Sequence, residues 1–156
     1  MQEDPEPDRE IVSTRVLDAP REVVFQAFGD PRMLARWWGP KGFTNTFHEF
    51  DLRPGGAWRF VMHGPDGTDY HNATDFIEVV RPERIVFRHL EPMHRFQMTM
   101  TFAEEAGKTR LTWRMRFESA AELERVKGFV PAANEQNFDR LEEQLADNPA
   151  ADRVIE

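Results

Sequence analysis

The stretch that decides the fold is RFQMTMTFAEEAGKTRLTWRMRF, residues Arg95–Phe117. Large apolar side chains fall on every second position: Phe96, Met98, Met100 and Phe102, then, after a polar link, Leu111, Trp113, Met115 and Phe117. Because successive side chains of a strand point to opposite faces, this period predicts two strands with all eight bulky residues on one face. The link at 104–107 is short enough to join them as an antiparallel hairpin.

A helical segment follows the hairpin and supplies a cover for the apolar face. Ser119-Ala120-Ala121-Glu122 has the pattern of a capping box, which opens a helix. A second run has the spacing of an amphipathic helix, with Val130, Ala133, Asn134, Asn137, Phe138, Leu141 and Leu145 on one side. Gly128 and Pro131 predict a break between the two. We therefore expect a short helix, a break and a helix of about four turns lying across a curved sheet.

The chain before residue 95 predicts five more strands and two short helices. Clusters of proline, glycine and aspartate separate them, the strongest turn signal being GPDG at 64–67. The predicted strands are Ile11–Asp18, Phe43–Leu52, Ala57–Met62, Tyr70–Val80 and Arg84–Leu90, and the helices run from Pro20 to Phe28 and from Arg32 to Trp38.

This order of elements predicts an α+β fold, with helices packed on one face of an antiparallel sheet of about seven strands. We expect a single domain at residues 10–147. The polar, proline-containing stretch at 1–9 predicts a disordered acidic tail, and residues 148–156 predict a frayed C-terminal tail.

Composition excludes several functions for this chain of 156 residues. A formal net charge of −8 and a pI near 5.2 argue against nucleic acid or an anionic membrane surface as a partner. The absence of cysteine excludes disulfides and thiol catalysis. No apolar run approaches the roughly 20 residues that span a bilayer, and the acidic N-terminus is unlike a signal peptide, so we expect a cytoplasmic protein. Thirteen Phe, seven Met and four Trp fit either a packed core or an adaptable apolar surface.

Several motifs, in this order, make the chain resemble the SRPBCC superfamily, also called START-like or Bet v 1-like. They are DAPREVVF at 18–25, LARWWGP at 34–40, LRPGGAW at 52–58, GPDG at 64–67 and PERIVF at 82–87. Within the superfamily the chain is similar to the branch of the C-terminal domain of the activator of the ninety-kilodalton heat-shock chaperone's ATPase. The resemblance implies a helix-grip fold, in which a curved antiparallel sheet wraps a long C-terminal helix and encloses a cavity for an apolar small molecule. Thr74 and Asp75 stand where relatives tend to carry glycine, which predicts a different cavity shape beside that strand.

We expect the cavity to be lined by inward-facing residues of the strands and of the last helix. The candidates are Trp38, Trp58, Phe60, Tyr70, His71, Phe87, Met98, Met100, Trp113, Met115, Asn134, Phe138 and Leu141. Tyr70, His71 or an amide of the last helix would orient the polar end of a ligand. For the apolar candidates, the same inward parity is equally typical of a solid core, and both interpretations stay open.

The five histidines, at positions 48, 63, 71, 89 and 94, form no helical metal-ligand pair, and we predict no metal site and no cofactor. His89 and His94 flank a turn and could approach each other. Arg110, Arg114 and Arg116 alternate with the inward residues and predict a basic stripe on the opposite face, either balanced by nearby acids or offered to a protein partner.

Three functions remain as hypotheses. The first is binding of an apolar small molecule, by a monomer or homodimer. The second, which the resemblance implies, is a chaperone co-factor in stress response that acts through its outer surface. The third is a polyketide cyclase or aromatase, in which the cavity positions a substrate and polar groups supply acid–base catalysis. The sequence contains no nucleophile elbow, phosphate loop or dinucleotide fingerprint, so nothing in it demands catalysis.

Overall fold

A computed structural model describes residues 9–92 and 94–147 of the chain. Its elements are β1 (Glu10–Leu17), α1 (Arg21–Gly29), α2 (Pro31–Trp37), β2 (Thr44–Phe50), β3 (Ala57–His63), β4 (Asp69–Val80), β5 (Arg84–Glu91), β6 (Phe96–Glu105), β7 (Lys108–Phe117), α3 (Ala120–Val126) and α4 (Val130–Ala146). The predicted α+β order of a strand, two helices, six strands and a C-terminal helical segment is confirmed. The predicted tails lie outside the described residues, apart from Arg9, whose guanidinium donates a hydrogen bond to the Glu118 carbonyl (3.0 Å).

The seven strands form one antiparallel sheet in the order β1-β7-β6-β5-β4-β3-β2. The pair β6–β7 is the predicted hairpin, with Met100 opposite Trp113. Ala106 and Gly107 connect its strands with positive φ angles of 54° and 81°, the conformation in which a two-residue turn matches the twist of the strands. The eight large residues predicted to share a face do so, and all except the half-buried Phe96 are buried. This face is the concave face of the sheet.

Irregularities in the second half of the sheet increase its curvature. The pairing register shifts between Phe47 and Glu49 on β2, between Phe76 and Glu78 on β4, and between His89 and Glu91 on β5. A bulge leaves one residue unpaired and raises the local twist. The strands β2–β5 therefore curl around the volume that the helices cover.

The turn before β3 depends on a residue without a side chain. A Cβ on Gly56 would lie 1.9 Å from the carbonyl oxygen of Asp51. Its neighbour Gly55 has φ +84° and donates its N–H to the Phe76 carbonyl (2.9 Å). The turn thus brings the start of β3 against β4 in a way that only glycine at position 56 permits.

The helices α1 and α2 fill one end of the concave face. Asp30 caps α2, because its carboxylate accepts a hydrogen bond from the backbone N–H of Arg32 (2.9 Å), and Pro31 occupies the first turn. Phe25 of α1 packs on Phe102 of β6, with ring centroids 5.1 Å apart. This end of the sheet is solid core.

The C-terminal helical segment is broken as predicted. Ser119 starts α3, since its hydroxyl accepts the backbone N–H of Glu122 (3.2 Å). Residues 127–129 separate α3 from α4, which has 17 residues and carries Pro131 in its first turn. The two helices cover the other end of the concave face, where the break leaves the cover incomplete.

Ion pairs fasten the outside of the molecule. Arg15 of β1 contacts Glu135 and Asp139 of α4 at 2.7 Å each. On the convex face Arg114 pairs with Glu10 (2.9 Å), and Arg110 pairs with an acid of its own hairpin (2.7 Å). The predicted basic stripe therefore lies on the convex face with two of its cations balanced by acids.

Candidate functional site

An apolar cavity of about 410 Å³ lies between the concave face, α4 and the break between the last two helices. Strands β3–β7 form its floor, the loop after α2 and the loop after β5 form its sides, and α4 covers it. Phe129, in the helix break, lines the cavity and is 53% exposed, so it stands at the mouth.

The structure brings nine of the thirteen predicted site residues together around this cavity. They are Trp38, Trp58, Phe60, Tyr70, Phe87, Met98, Trp113, Met115 and Asn134. The adjacent tryptophans have different surroundings: Trp37 is buried in the core and donates its indole N–H to the Ala27 carbonyl (3.0 Å), whereas Trp38 lines the cavity. The ring of Trp38 lies 5.2 Å from that of Trp58 and 5.4 Å from that of Trp113.

His71 does not line the cavity, and the prediction that it would is wrong. It alternates along β4 with Tyr70 and Asn72, which both line the cavity, so its side chain is exposed on the convex face. Asn72 is the residue that faces inward. Strand parity was the signal that could have found it, because Tyr70 was already placed on the concave face.

Met100, Phe138 and Leu141 belong to the core rather than to the cavity wall, which corrects their prediction as lining residues. Met100 and Leu141 lie among the residues packed under α1 and α2, where no space large enough for a water molecule remains. Phe138 is fully buried and packs on Trp113, with ring centroids 4.7 Å apart. These residues share the inward parity of the lining residues, but they lie at the end of the concave face that α1 and α2 fill.

Three polar residues lie side by side on the concave face, and we call Asn72, Thr74 and His89 the polar strip. Asn72 and Thr74 are two positions apart on β4, and Thr74 is the register partner of His89 on β5. All three line the cavity. Burial lowers the pKa of His89, and the nearby His94 lowers it further, whereas the hydrogen bond to the Pro92 carbonyl acts in the opposite direction. The lowered pKa leaves the imidazole neutral at pH 7.

Two amides of α4 reach the cavity from the opposite side. Asn137 is satisfied by backbone, because its Nδ2 donates to the Trp37 carbonyl (2.9 Å) and its Oδ1 accepts from the Gly39 N–H (3.2 Å). Asn134 donates through Nδ2 to the Ser13 hydroxyl (3.1 Å). Both amides are buried, as the amphipathic spacing of α4 predicted, and their protein partners account for most of their hydrogen-bonding groups.

His94 joins the loop after β5 to α3 beside the cavity. Its Nδ1 donates to the Glu122 carboxylate (2.8 Å), and both side chains are mostly buried. The Glu122 carboxylate thus pairs with His94 and does not accept the Ser119 backbone N–H, as it would in a complete capping box. His89 and His94 both line the cavity and are close enough to interact electrostatically.

Comparison with known proteins places the chain in a family. Residues 18–146 match the sequence model of a family described as Activator of Hsp90 ATPase homolog 1-like protein. The chain belongs to this family. It is part of the SRPBCC superfamily, and its curved sheet with a C-terminal helix is the helix-grip fold. No curated protein sequence matches the chain significantly.

Solved structures of similar proteins have the same fold as this chain. A solution structure from Arthrobacter aurescens has a TM-score of 0.84 and 22% identity, covering 94% of this chain and 91% of that one. A crystal structure from Mycobacterium smegmatis has a TM-score of 0.80 and 28% identity, covering 89% and 92%. A crystal structure of the AHSA1 protein from Silicibacter pomeroyi has a TM-score of 0.72 and 20% identity, covering 88% and 97%.

The structure shows what surrounds two of the sequence features noted above, the segment at 38–40 and Thr74. The tryptophan–glycine–proline segment after α2 is held by Arg140, whose Nη1 lies 3.2 Å from the Trp38 carbonyl and 3.0 Å from those of Gly39 and Pro40. Thr74 is 1% exposed and part of the polar strip. It thus contributes a hydroxyl group to the cavity floor.

The described residues contain neither a metal-ligand cluster nor a membrane-spanning helix. No cluster of three or more His, Asp or Glu side chains in residues 9–92 and 94–147 is arranged to hold a metal ion. None of the helices in these ranges is long and apolar enough to cross a membrane.

Proposed function

We propose that this protein binds a mainly apolar small molecule in the cavity between the curved sheet and α4. The observation that carries the proposal is the cavity of about 410 Å³, which falls within the roughly 300–1,000 Å³ of small-molecule sites. Its walls are dominated by aromatic and methionine side chains with a few polar groups, the composition of a ligand pocket. Methionines such as Met98 and Met115 adapt to ligands of different shape.

Burial of apolar surface would supply most of the affinity, at about 25 cal/mol per Å². The incomplete cover at the helix break offers an entry route, because Phe129 stands at the mouth with 53% of its surface exposed. The polar strip would orient the ligand within the cavity.

The first test is native mass spectrometry of freshly purified protein before and after denaturation. A small molecule released on denaturation supports the proposal. The second is titration with Nile red, an uncharged apolar dye, followed by dye emission and by quenching of the three tryptophans that line the cavity. We expect saturable binding at one site per chain.

A matched pair of variants on α4 locates the binding. Ala133 lines the cavity, whereas its neighbour Ala132 is exposed. Ala133→Trp would fill the cavity and abolish Nile red binding, while Ala132→Trp would leave it unchanged. Absence of saturable binding to the wild-type protein, or equal binding by both variants, would refute the proposal.

A second candidate function is that of a chaperone co-factor, which the family description favours. It would act through the convex face and its basic stripe. The test is the ATPase rate of the Hsp90-type chaperone from the same organism, with and without this protein. An unchanged rate, together with no complex by sedimentation, would remove this candidate. The cyclase or aromatase alternative has weaker support, since none of the described cavity-lining residues is Asp or Glu.

A further inference from the structure

Resting on the proposed function, we infer that the ligand is an apolar molecule whose polar group is a hydrogen-bond donor, such as an alcohol or a phenol, and that it carries no negative charge. The basis of this inference is the juxtaposition in the polar strip of Asn72 and His89, two residues that line the cavity and each have one side-chain acceptor without a donor among the described residues.

The orientation of the Asn72 amide is set by the backbone. Its Nδ2 donates to the carbonyl of Tyr70 (3.0 Å). Because a carbonyl oxygen only accepts, the nitrogen must occupy this position and Oδ1 must point the other way. Asn72 is 7% exposed and lines the cavity, and its Oδ1 accepts no hydrogen bond from any residue that the structure describes. The amide oxygen of Asn72 is thus left for a donor that the protein does not provide.

The tautomer of His89 follows from the same logic. Its Nε2 lies 3.1 Å from the Pro92 carbonyl, which only accepts, so Nε2 carries the proton. The ring stacks on Phe96, with centroids 4.8 Å apart, which holds its orientation. In the neutral imidazole Nδ1 is then a lone-pair acceptor, and no described residue donates to it.

Thr74 is the register partner of His89 and lies two positions from Asn72 on the same face of β4. The polar strip therefore presents the acceptors of Asn72 and His89 close together. Thr74 lies between them, and its hydroxyl can either donate or accept. A ligand hydroxyl placed here would donate to one acceptor and could accept from Thr74. A ligand with only acceptor groups would leave both Asn72 and His89 unsatisfied.

Two of the three indole N–H donors that line the cavity are out of a ligand's reach. The indole N–H groups of Trp58 and Trp113 have no acceptor, but the nitrogens are covered by surrounding atoms. Both amide functions of Asn137 are occupied by backbone groups. The donor and acceptor capacity open to a ligand is therefore weighted towards acceptors.

A negative charge would meet no countercharge. None of the described residues that line the cavity is Lys or Arg, and His89 is neutral. His94 already faces the Glu122 carboxylate. A carboxylate transferred from water into such an environment keeps its desolvation penalty uncompensated and would have to bind in its protonated form.

Three probes that share a biphenyl body test the inference: 4-phenylphenol, 4-methoxybiphenyl and biphenyl-4-carboxylate. Their dissociation constants are measured by competition with Nile red. We expect the phenol to bind about fivefold to tenfold more tightly than the ether, as one net hydrogen bond predicts, and the carboxylate to bind more weakly than both. Equal affinities for phenol and ether, or tightest binding of the carboxylate, would overturn the inference while leaving apolar binding established. Failure of all three probes and of Nile red itself would refute the proposed function.

Variants assign the preference to the polar strip. Asn72→Leu and His89→Phe should each reduce the phenol's advantage over the ether at least threefold, without weakening ether binding. His71→Leu is the matched control, because it is adjacent to Asn72 but exposed on the convex face, and it should leave both affinities unchanged. Circular dichroism verifies that each variant folds. A phenol preference that survives in both folded strip variants would contradict the assignment, and the wild-type comparison of probes stands without any variant.

Discussion

Arg140 is expected to hold the wall of the cavity in place, and its replacement by methionine tests this. Its Nη1 faces the carbonyls of Trp38, Gly39 and Pro40, and its Nη2 donates to that of Arg36 (2.8 Å). No carboxylate accepts from it among the ion pairs of the described residues. Desolvation by burial lowers the pKa of this guanidinium, but it stays charged at neutral pH. The side chain thus acts as a charged clamp on backbone carbonyls.

The size of the effect follows from the number of N–H groups. Nη1 carries two hydrogens for three carbonyls, so with Nη2 about three full hydrogen bonds are lost in Arg140→Met. At about 1 kcal/mol each, and with part of the group in contact with solvent, the free energy of unfolding should fall by about 2–3 kcal/mol. Lysine has a compact charge that cannot span the four carbonyls, so Arg140→Lys should recover less than half of the loss.

Urea unfolding followed by far-UV circular dichroism measures the loss. Arg110→Met serves as the control, because Arg110 makes only an exposed surface ion pair with Glu105 and its replacement should change the stability far less than Arg140→Met does. Release of the Trp38 backbone should also weaken Nile red binding in Arg140→Met. If the two methionine variants have the same stability, or if Nile red affinity is unchanged, the clamp does not support the cavity wall.

Three further outcomes are expected. Gly56→Ala should destabilise the protein by about 2–4 kcal/mol, since the new methyl group collides with the Asp51 carbonyl. Gly128→Ala is the control and should be neutral or slightly stabilising, because a Cβ at position 128 meets nothing within 4 Å. Thermal unfolding compares the two variants, and equal melting temperatures would contradict the turn geometry. Phe138→Ala should lower the free energy of unfolding, measured in urea, by about 3–5 kcal/mol, as truncation of a core phenylalanine does. A decrease below about 1 kcal/mol would indicate that Phe138 lines the cavity instead of packing in the core. His89 has a lowered pKa in the folded state, so the unfolded chain takes up a proton first and the stability falls as the pH drops below about 6.5. His89→Phe should therefore lose less stability than the wild type between about pH 7 and pH 5. Parallel profiles of stability against pH for the two proteins would show that His89 is not buried as a neutral base.

Local sequence pattern was sufficient for the sheet and for the helix limits. The period of two in β6 and β7 identified eight residues of one face, because alternation along a strand is a property of the backbone and does not depend on what packs above it. The cap at Ser119 and the break at Gly128 were readable for the same reason, since capping and helix breaking depend on neighbours within one turn. Strand parity also contained the correct assignment of Asn72 and His89 to the concave face, although His71 was predicted in their place.

The division between core and cavity depended on contacts between distant segments. Met98 and Met100 occupy equivalent inward positions on one strand, yet Met98 lines the cavity while Met100 lies under the first two helices. The contact between His94 and Glu122 joins residues 28 positions apart, and Arg140 reaches carbonyls about 100 positions away. Such contacts arise only when the helices are docked on the sheet.

The sequence by itself determined which side chains face inward, because that is decided by the repeat of each strand and helix. Only the tertiary structure decided which of those side chains meet another side chain and which border empty volume, because α1 and α2 fill one end of a curved sheet while the break between α3 and α4 leaves the other end incompletely covered. The free acceptors of Asn72 and His89 are oriented locally, by backbone carbonyls two and three residues away, but only the docked helices enclose the volume that these residues border.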